Sequence, residues 1–105
     1  MEQNYFPAVV QALAGADFTV YAYFSDGSIK HFDVKPLIRQ GGVFEKLADE
    51  AVFRSALTVM NDTVAWDFTG EFDPARCVDI DPFAVYDGAS VSDPMEVARD
   101  GAPSR

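Results

Sequence analysis

The chain has 105 residues, 49% of them hydrophobic and 13% aromatic, which suffices for one domain whose folding buries roughly two thirds of its unfolded surface. Its 17 acidic and 8 basic side chains leave a net charge of -9, a field that repels phosphate backbones and argues against direct binding to DNA or RNA. One cysteine, Cys77, excludes an intrachain disulfide and a cysteine-based zinc cluster, and no apolar run nears the about 20 residues that a membrane-crossing helix needs.

Residues 1–5 read as a loose terminus, and Met1-Glu2-Gln3-Asn4 has neither the basic start nor the apolar stretch of a signal peptide, so a cytoplasmic protein is expected. Phe6 to Leu13 carries β-branched residues with Pro7 near its start, which suits an edge strand. Gly15 then turns the chain into a hairpin.

That hairpin, Asp17 to Leu37, gives the clearest architectural signal. Aromatic and β-branched residues alternate on both sides of Ser25-Asp26-Gly27, and Gly27 takes φ > 0 without steric cost. A two-residue Asp26-Gly27 loop would pair Val20 with Asp33 and bring a carboxylate onto the apolar face. A three-residue loop with Gly27 in a bulge shifts the register by one residue. Phe18, Val20, Ala22 and Phe24 then share a face with Phe32 and Val34. The other face collects Thr19, Tyr21, Tyr23, Ile29, His31 and Asp33. The second register segregates apolar from polar residues and is the one expected. Pro36 ends the ladder.

Leu37 to Gln40 allows one helical turn, which Gly41-Gly42 stops. From Val43 the apolar spacing becomes helical, through Phe44, Leu47, Ala48, Ala51 and Val52. Asp49 is placed to cap a second helix over Glu50–Ala56, so two short helices are expected rather than one long one, forming a layer over one face of the sheet. Leu57 to Phe68 is a second hairpin. An Asn61-Asp62 turn pairs Val59 with Val64 and Leu57 with Trp66, and turns Thr58, Met60, Ala65 and Asp67 the other way. Trp66, in phase with three apolar neighbours, reads as a core aromatic.

Three Asp-Pro pairs follow, Asp73-Pro74, Asp81-Pro82 and Asp93-Pro94, each able to cap and open a turn of helix. From Asp62 onward there are ten acids against Arg76, Arg99 and Arg105. Composition changes after Gly88 to Ser, Asp, Gly, Pro and Ala. The predicted organisation is a single α+β domain over residues 1–88 and a flexible acidic tail over 89–105, with a nascent helix over Pro94–Arg99. The domain is an antiparallel sheet, a three-strand meander plus a second hairpin, covered on one face by short helices.

The search for chemistry returns little. His31 and Asp33 lie on the same side of their strand, and such a pair can orient an imidazole as a base. No Ser or Cys stands in a nucleophile motif, however, and aspartate beside a surface histidine is an ordinary feature. The acids Asp67, Glu71, Asp73, Asp79 and Asp81 lack the glycine of a calcium loop, and Pro82 intrudes. Gly41-Gly42 has no following Lys-Ser/Thr for a phosphate cradle. Cys77 reads as a small, half-buried hydrophobe. No catalytic residue, metal or cofactor is expected. Tyr21 and Tyr23 stand apart, because an aromatic outer face suits a protein partner.

Phe24-x-Asp26-Gly27, Phe32-Asp33, Phe44-x-x-Leu47, Trp66 and the closing Asp79-x-Asp81-Pro82-x-x-x-Tyr86 resemble a small bacterial family, domain of unknown function 2442, over about Tyr5 to Asp87. The resemblance implies an α+β fold like the N-terminal domain of a Nitrosomonas protein of that group, in which a helix-turn-helix domain follows. Many members are instead stand-alone chains encoded beside a short partner, in what look like toxin–antitoxin pairs. Nothing after Asp87 patterns as a helix-turn-helix, so DNA binding does not carry over, and the family supplies no catalytic residues. The function expected is a non-enzymatic protein–protein interaction domain, the antitoxin-like member of a two-protein module. Its interaction face would be Tyr21, Tyr23, His31 and Asp33, and its partner a basic protein or a second copy. The alternatives are a self-associating structural module, and a small ligand-binding or acid–base protein using His31 and Asp33.

Overall fold

The computed structural model describes residues 7–71, 73 and 77–94. Strand β1 (Val9–Ala14), β2 (Thr19–Phe24) and β3 (Ile29–Asp33) form the antiparallel meander, and β7 (Ala89–Ser90) adds to the free edge of β3. A second antiparallel sheet holds β4 (Leu57–Met60), β5 (Thr63–Trp66) and β6 (Val78–Asp79). Between the two sheets the chain runs through α1 (Lys35–Gln40), a 3-10 helix over Gly42–Ala48 and α2 (Glu50–Ala56), and α3 (Pro82–Tyr86) precedes β7. The protein is α+β, with short helices accompanying antiparallel sheets.

Turn chemistry sets both registers. In the first hairpin Val20 faces Phe32 and Tyr21 faces His31, the pairing of a three-residue loop. Gly27 adopts φ +93°, the Phe24 amide donates to the Ser28 carbonyl at 2.9 Å, and the Asp26 carboxylate accepts from the Ser28 amide and hydroxyl. In the second hairpin Asn61 and Asp62 both take left-handed φ of 55° and 63°, as a two-residue turn between twisted strands requires. Val59 pairs with Val64 and Leu57 with Trp66.

The core lies between the inner face of the first sheet and the elements that follow it. Val20, Ala22, Phe24 and Val34 meet Leu47 and Phe53 from the helical layer, Val64 and Trp66 from β5, and Val85 from α3. The Phe18 ring meets Phe53 edge-on at 5.4 Å, and Phe53 tilts against Trp66 at the same distance. Burying one such side chain contributes roughly 1.5–3 kcal/mol. Trp66 is wholly buried, and its indole N–H donates to the Phe53 carbonyl at 3.0 Å, so its one polar group is satisfied where water is excluded.

Several expectations shift in detail. The first strand begins at Val9; Phe6 lies outside the described residues, as do residues 1–5. A bulge at Val10 brings Val9 and Ala12 onto the same inner face and leaves Val10 itself 61% exposed. The break at Asp49 is present, its carboxylate accepting from the Ala51 amide, but the preceding segment is a 3-10 helix. At three residues per turn its side chains drift off the α period. Val43 and Ala48 from the expected apolar stripe are therefore exposed, and because the extended Asp49 resets the phase of α2, Ala51 is exposed and Phe53 buried in its stead. In β5 all four residues are buried, so both faces of that strand are covered, while Leu57, Thr58 and Val59 of β4 are half-buried. Asp81 caps α3 by accepting from the Phe83 amide. The helix start expected at Asp73-Pro74 and the one over Pro94–Arg99 run into residues outside the described set. The sheet continues past residue 88, where composition alone placed the domain boundary, because Ala89 and Ser90 pair with His31 and Lys30. Among the described residues no helix is long and apolar enough to cross a membrane.

Candidate functional site: the outer face of the meander

Because side chains alternate across a strand, residues directly opposite one another share a face. The pairings of the first sheet therefore place Leu13, Tyr21, His31 and Ala89 in one row on the face away from the core. Gln11, Tyr23 and Ile29 form the adjoining row. None of these residues belongs to the buried cluster or packs against it. Leu13, Tyr21, Tyr23, Ile29 and His31 are half-buried, and Gln11 and Ala89 are exposed.

Local packing orients the rings. Tyr21 and His31 stack with centroids 4.5 Å apart and planes 18° from parallel. A Cβ on Gly15 would come within 3.0 Å of the Tyr21 ring and 2.5 Å of the Thr19 hydroxyl, so only glycine lets the tyrosine lie back over this turn. Thr19, expected on the same face, is buried, and its hydroxyl donates to the Ala16 carbonyl at 2.7 Å. Tyr23 donates its hydroxyl to the Asp93 carboxylate at 2.8 Å.

Asp33 stands at the rim and turns to Lys35 instead of to the imidazole. Its carboxylate accepts from the Lys35 amide at 3.0 Å and meets the Lys35 ammonium at 3.0 Å. That ammonium also reaches the Asp17 carboxylate at 3.2 Å and the Asp17 carbonyl at 2.9 Å. The Lys35 amide, followed by its ammonium, holds the Asp33 carboxyl below the usual carboxylate range, and the bond to Asp33 raises the Lys35 ammonium in turn. The structure thus brings Tyr21 and His31 into contact, sets Tyr23 in the next row and commits Asp33 to a lysine. The arrangement offers an aromatic, low-charge surface.

Asp67, Asp79 and Asp81 serve local structure. Asp67 accepts from the amides of Thr69 and Gly70 and from the Thr69 hydroxyl. Asp79 accepts from the Asn61 side chain and Asp81 caps a helix. Among the described residues no group of three or more His, Cys, Asp or Glu side chains could hold a metal ion. Burial, then the charge of Asp79, pushes the Cys77 thiol up, which keeps it protonated and a poor nucleophile at neutral pH. An open groove of about 610 Å³ lies between α2 and the Asp67 loop. The Lys46 ammonium hangs 5.3 Å over the Phe68 ring at its side, and the Asp67 carboxylate in its wall is engaged by its own loop.

Sequence reasoning missed what borders the face. Ala89, Ser90 and Asp93 read as tail because Ser and Asp carry no strand signal. Leu13 fell within a strand whose bulge could not be seen, so its facing was undetermined.

The family described as "Protein of unknown function (DUF2442)" matches residues 9–90. Those bounds coincide with the first residue of β1 and the last residue of β7. No curated protein and no solved structure matches the chain.

Proposed function

The chain belongs to the DUF2442 family of proteins of unknown function, and we propose that it is a non-enzymatic, cytoplasmic protein–protein interaction domain, the antitoxin-like member of a two-protein bacterial module. The observation that carries this reading is the row Leu13–Tyr21–His31–Ala89, an aromatic strip that the core leaves out. Tyrosine provides a large, stiff contact area with a polar tip, which is why it is enriched where proteins bind one another.

Charge favours a basic partner over a second copy. At -9, two copies of this chain repel, whereas a basic protein is drawn in and its encounter accelerated at low salt. Near the face Asp33 pairs with the Lys35 ammonium, while Asp93 accepts from the neutral Tyr23 hydroxyl and keeps its charge, so the anionic field reaches the border of the strip.

Co-purification with the protein encoded beside this one, over a salt series, tests the reading. Association that weakens as salt rises is expected. No association even at low salt would overturn it.

A further inference from the structure

β7 is two residues long, yet it closes an edge of the sheet. Gly88 eases this: a Cβ there would stand 3.1 Å from both the His31 and the Val85 carbonyl oxygens, a tight approach that glycine avoids where the chain leaves α3 and lies against β3. Beyond it, Ser90 receives the Lys30 ammonium at 2.8 Å, the Val91 amide donates to the Ile29 carbonyl at 3.0 Å, and Asp93 takes the Tyr23 hydroxyl. Ala89, Ser90 and Ser92 are exposed and Val91 and Asp93 half-buried, so no side chain of the segment is fully buried. It spans only Ile29 to His31 of a β3 that runs on to Asp33.

We propose that the edge of β3 and the adjoining Tyr23 form a strand-acceptor site, which Ala89–Asp93 occupies in this chain and which an extended peptide of the partner takes over. The proposal rests on the reading of this face as the docking surface and names what docks there. The chain's own segment shows the chemistry that fits: small residues where the strands pair, and a carboxylate three residues after the serine, to accept from Tyr23. Edge strands are ready templates for an added strand, and a longer one reaches the backbone of Asp33, which by alternation faces the same edge as Ile29 and His31. Elements held by few bonds and little burial open far more readily than the core. The resident segment then lowers the partner's apparent affinity by the fraction of time it is closed.

The test uses the full chain and a fluorescent peptide with the sequence of residues 88–94. Val91→Pro removes the amide that bonds Ile29 and so releases the segment. The peptide is expected to bind the Val91→Pro chain at least tenfold more tightly than the wild type, and an Asp93→Asn peptide to bind it several-fold more weakly. Equal binding to both chains, or to neither, overturns the proposal. Native-state hydrogen exchange on the wild type decides independently of whether the variant folds. The Val91 amide should exchange by local opening, at least a hundredfold faster than the β2 amides; exchange as slow as theirs would mean that the segment leaves only on global unfolding. Neither measurement needs the natural partner, so failure here is distinct from failure to co-purify.

Discussion

The imidazole of His31 lies flat on the ring of Tyr21, 4.5 Å between centroids, on the outer face of the four-stranded sheet. The two residues are direct cross-strand partners, so the backbone register creates the contact. A stacked pair of this kind contributes about 0.5–1.5 kcal/mol beyond its buried area. Tyr21→Ala or His31→Ala should therefore lower stability by about 1 kcal/mol, read from chemical denaturation. A loss above about 3 kcal/mol would place the pair in the core and remove its surface role.

Acid should strip one tie between α3 and the first hairpin. The Asp26 carboxylate accepts from the Ser28 hydroxyl and amide and from the Tyr86 hydroxyl at 2.6 Å, and these bonds, that of the Ser28 hydroxyl foremost, lower its pKa to about 2. A depressed carboxylate stabilises the fold above its unfolded pKa of about 3.9, and that stabilisation fades as pH falls through the folded value. Melting temperature should thus decline from about pH 4 toward pH 2, and Tyr86→Phe should move the Asp26 titration, followed by NMR, upward toward the ordinary range. An Asp26 that titrates identically in both proteins would contradict the Tyr86 bond.

Trp66 joins the aromatic core to a backbone carbonyl. Its replacement by alanine removes the largest fully buried side chain and the bond to Phe53, and Trp→Ala in a core costs about 3–5 kcal/mol. As the only tryptophan it also reports on the core: native emission should be blue-shifted and should move to the red on unfolding. Native emission like that of free tryptophan would place the ring in water.

The second turn holds two non-glycine residues in left-handed conformation. Glycine adopts that conformation without the strain of a Cβ. Asp62→Gly should raise stability by about 0.5–1 kcal/mol, visible as a higher denaturation midpoint with an unchanged slope. A lower midpoint would show that the Asp62 side chain does more than turn the chain.

Both hairpin registers could be read from the residues because a turn is local chemistry: Gly27 admits a bulge, and Asn61-Asp62 tolerates positive φ, so the facing of Val20, Phe32, Val59 and Trp66 followed. The cap at Asp49 was visible for the same reason. What escaped depends on contacts distant in sequence. Phe53 escaped because the 3-10 segment and the extended Asp49 after it break the single α period that the apolar spacing suggested. Ala89–Ser90 became a strand because β3 offered an open edge and Gly88 allowed a close approach, neither of which composition records. Of the candidate face, Tyr21, Tyr23 and His31 were found by alternation alone, while the diversion of Asp33 to Lys35 needed the turn into α1.

The most direct measurement is the affinity of the protein encoded beside this one for the wild-type chain and for a Tyr21→Ala/His31→Ala double variant, by titration calorimetry at low salt with the variant's fold verified by circular dichroism. Docking on the outer face predicts at least a tenfold loss in the variant. Equal affinities would move the partner to another surface and contradict the account.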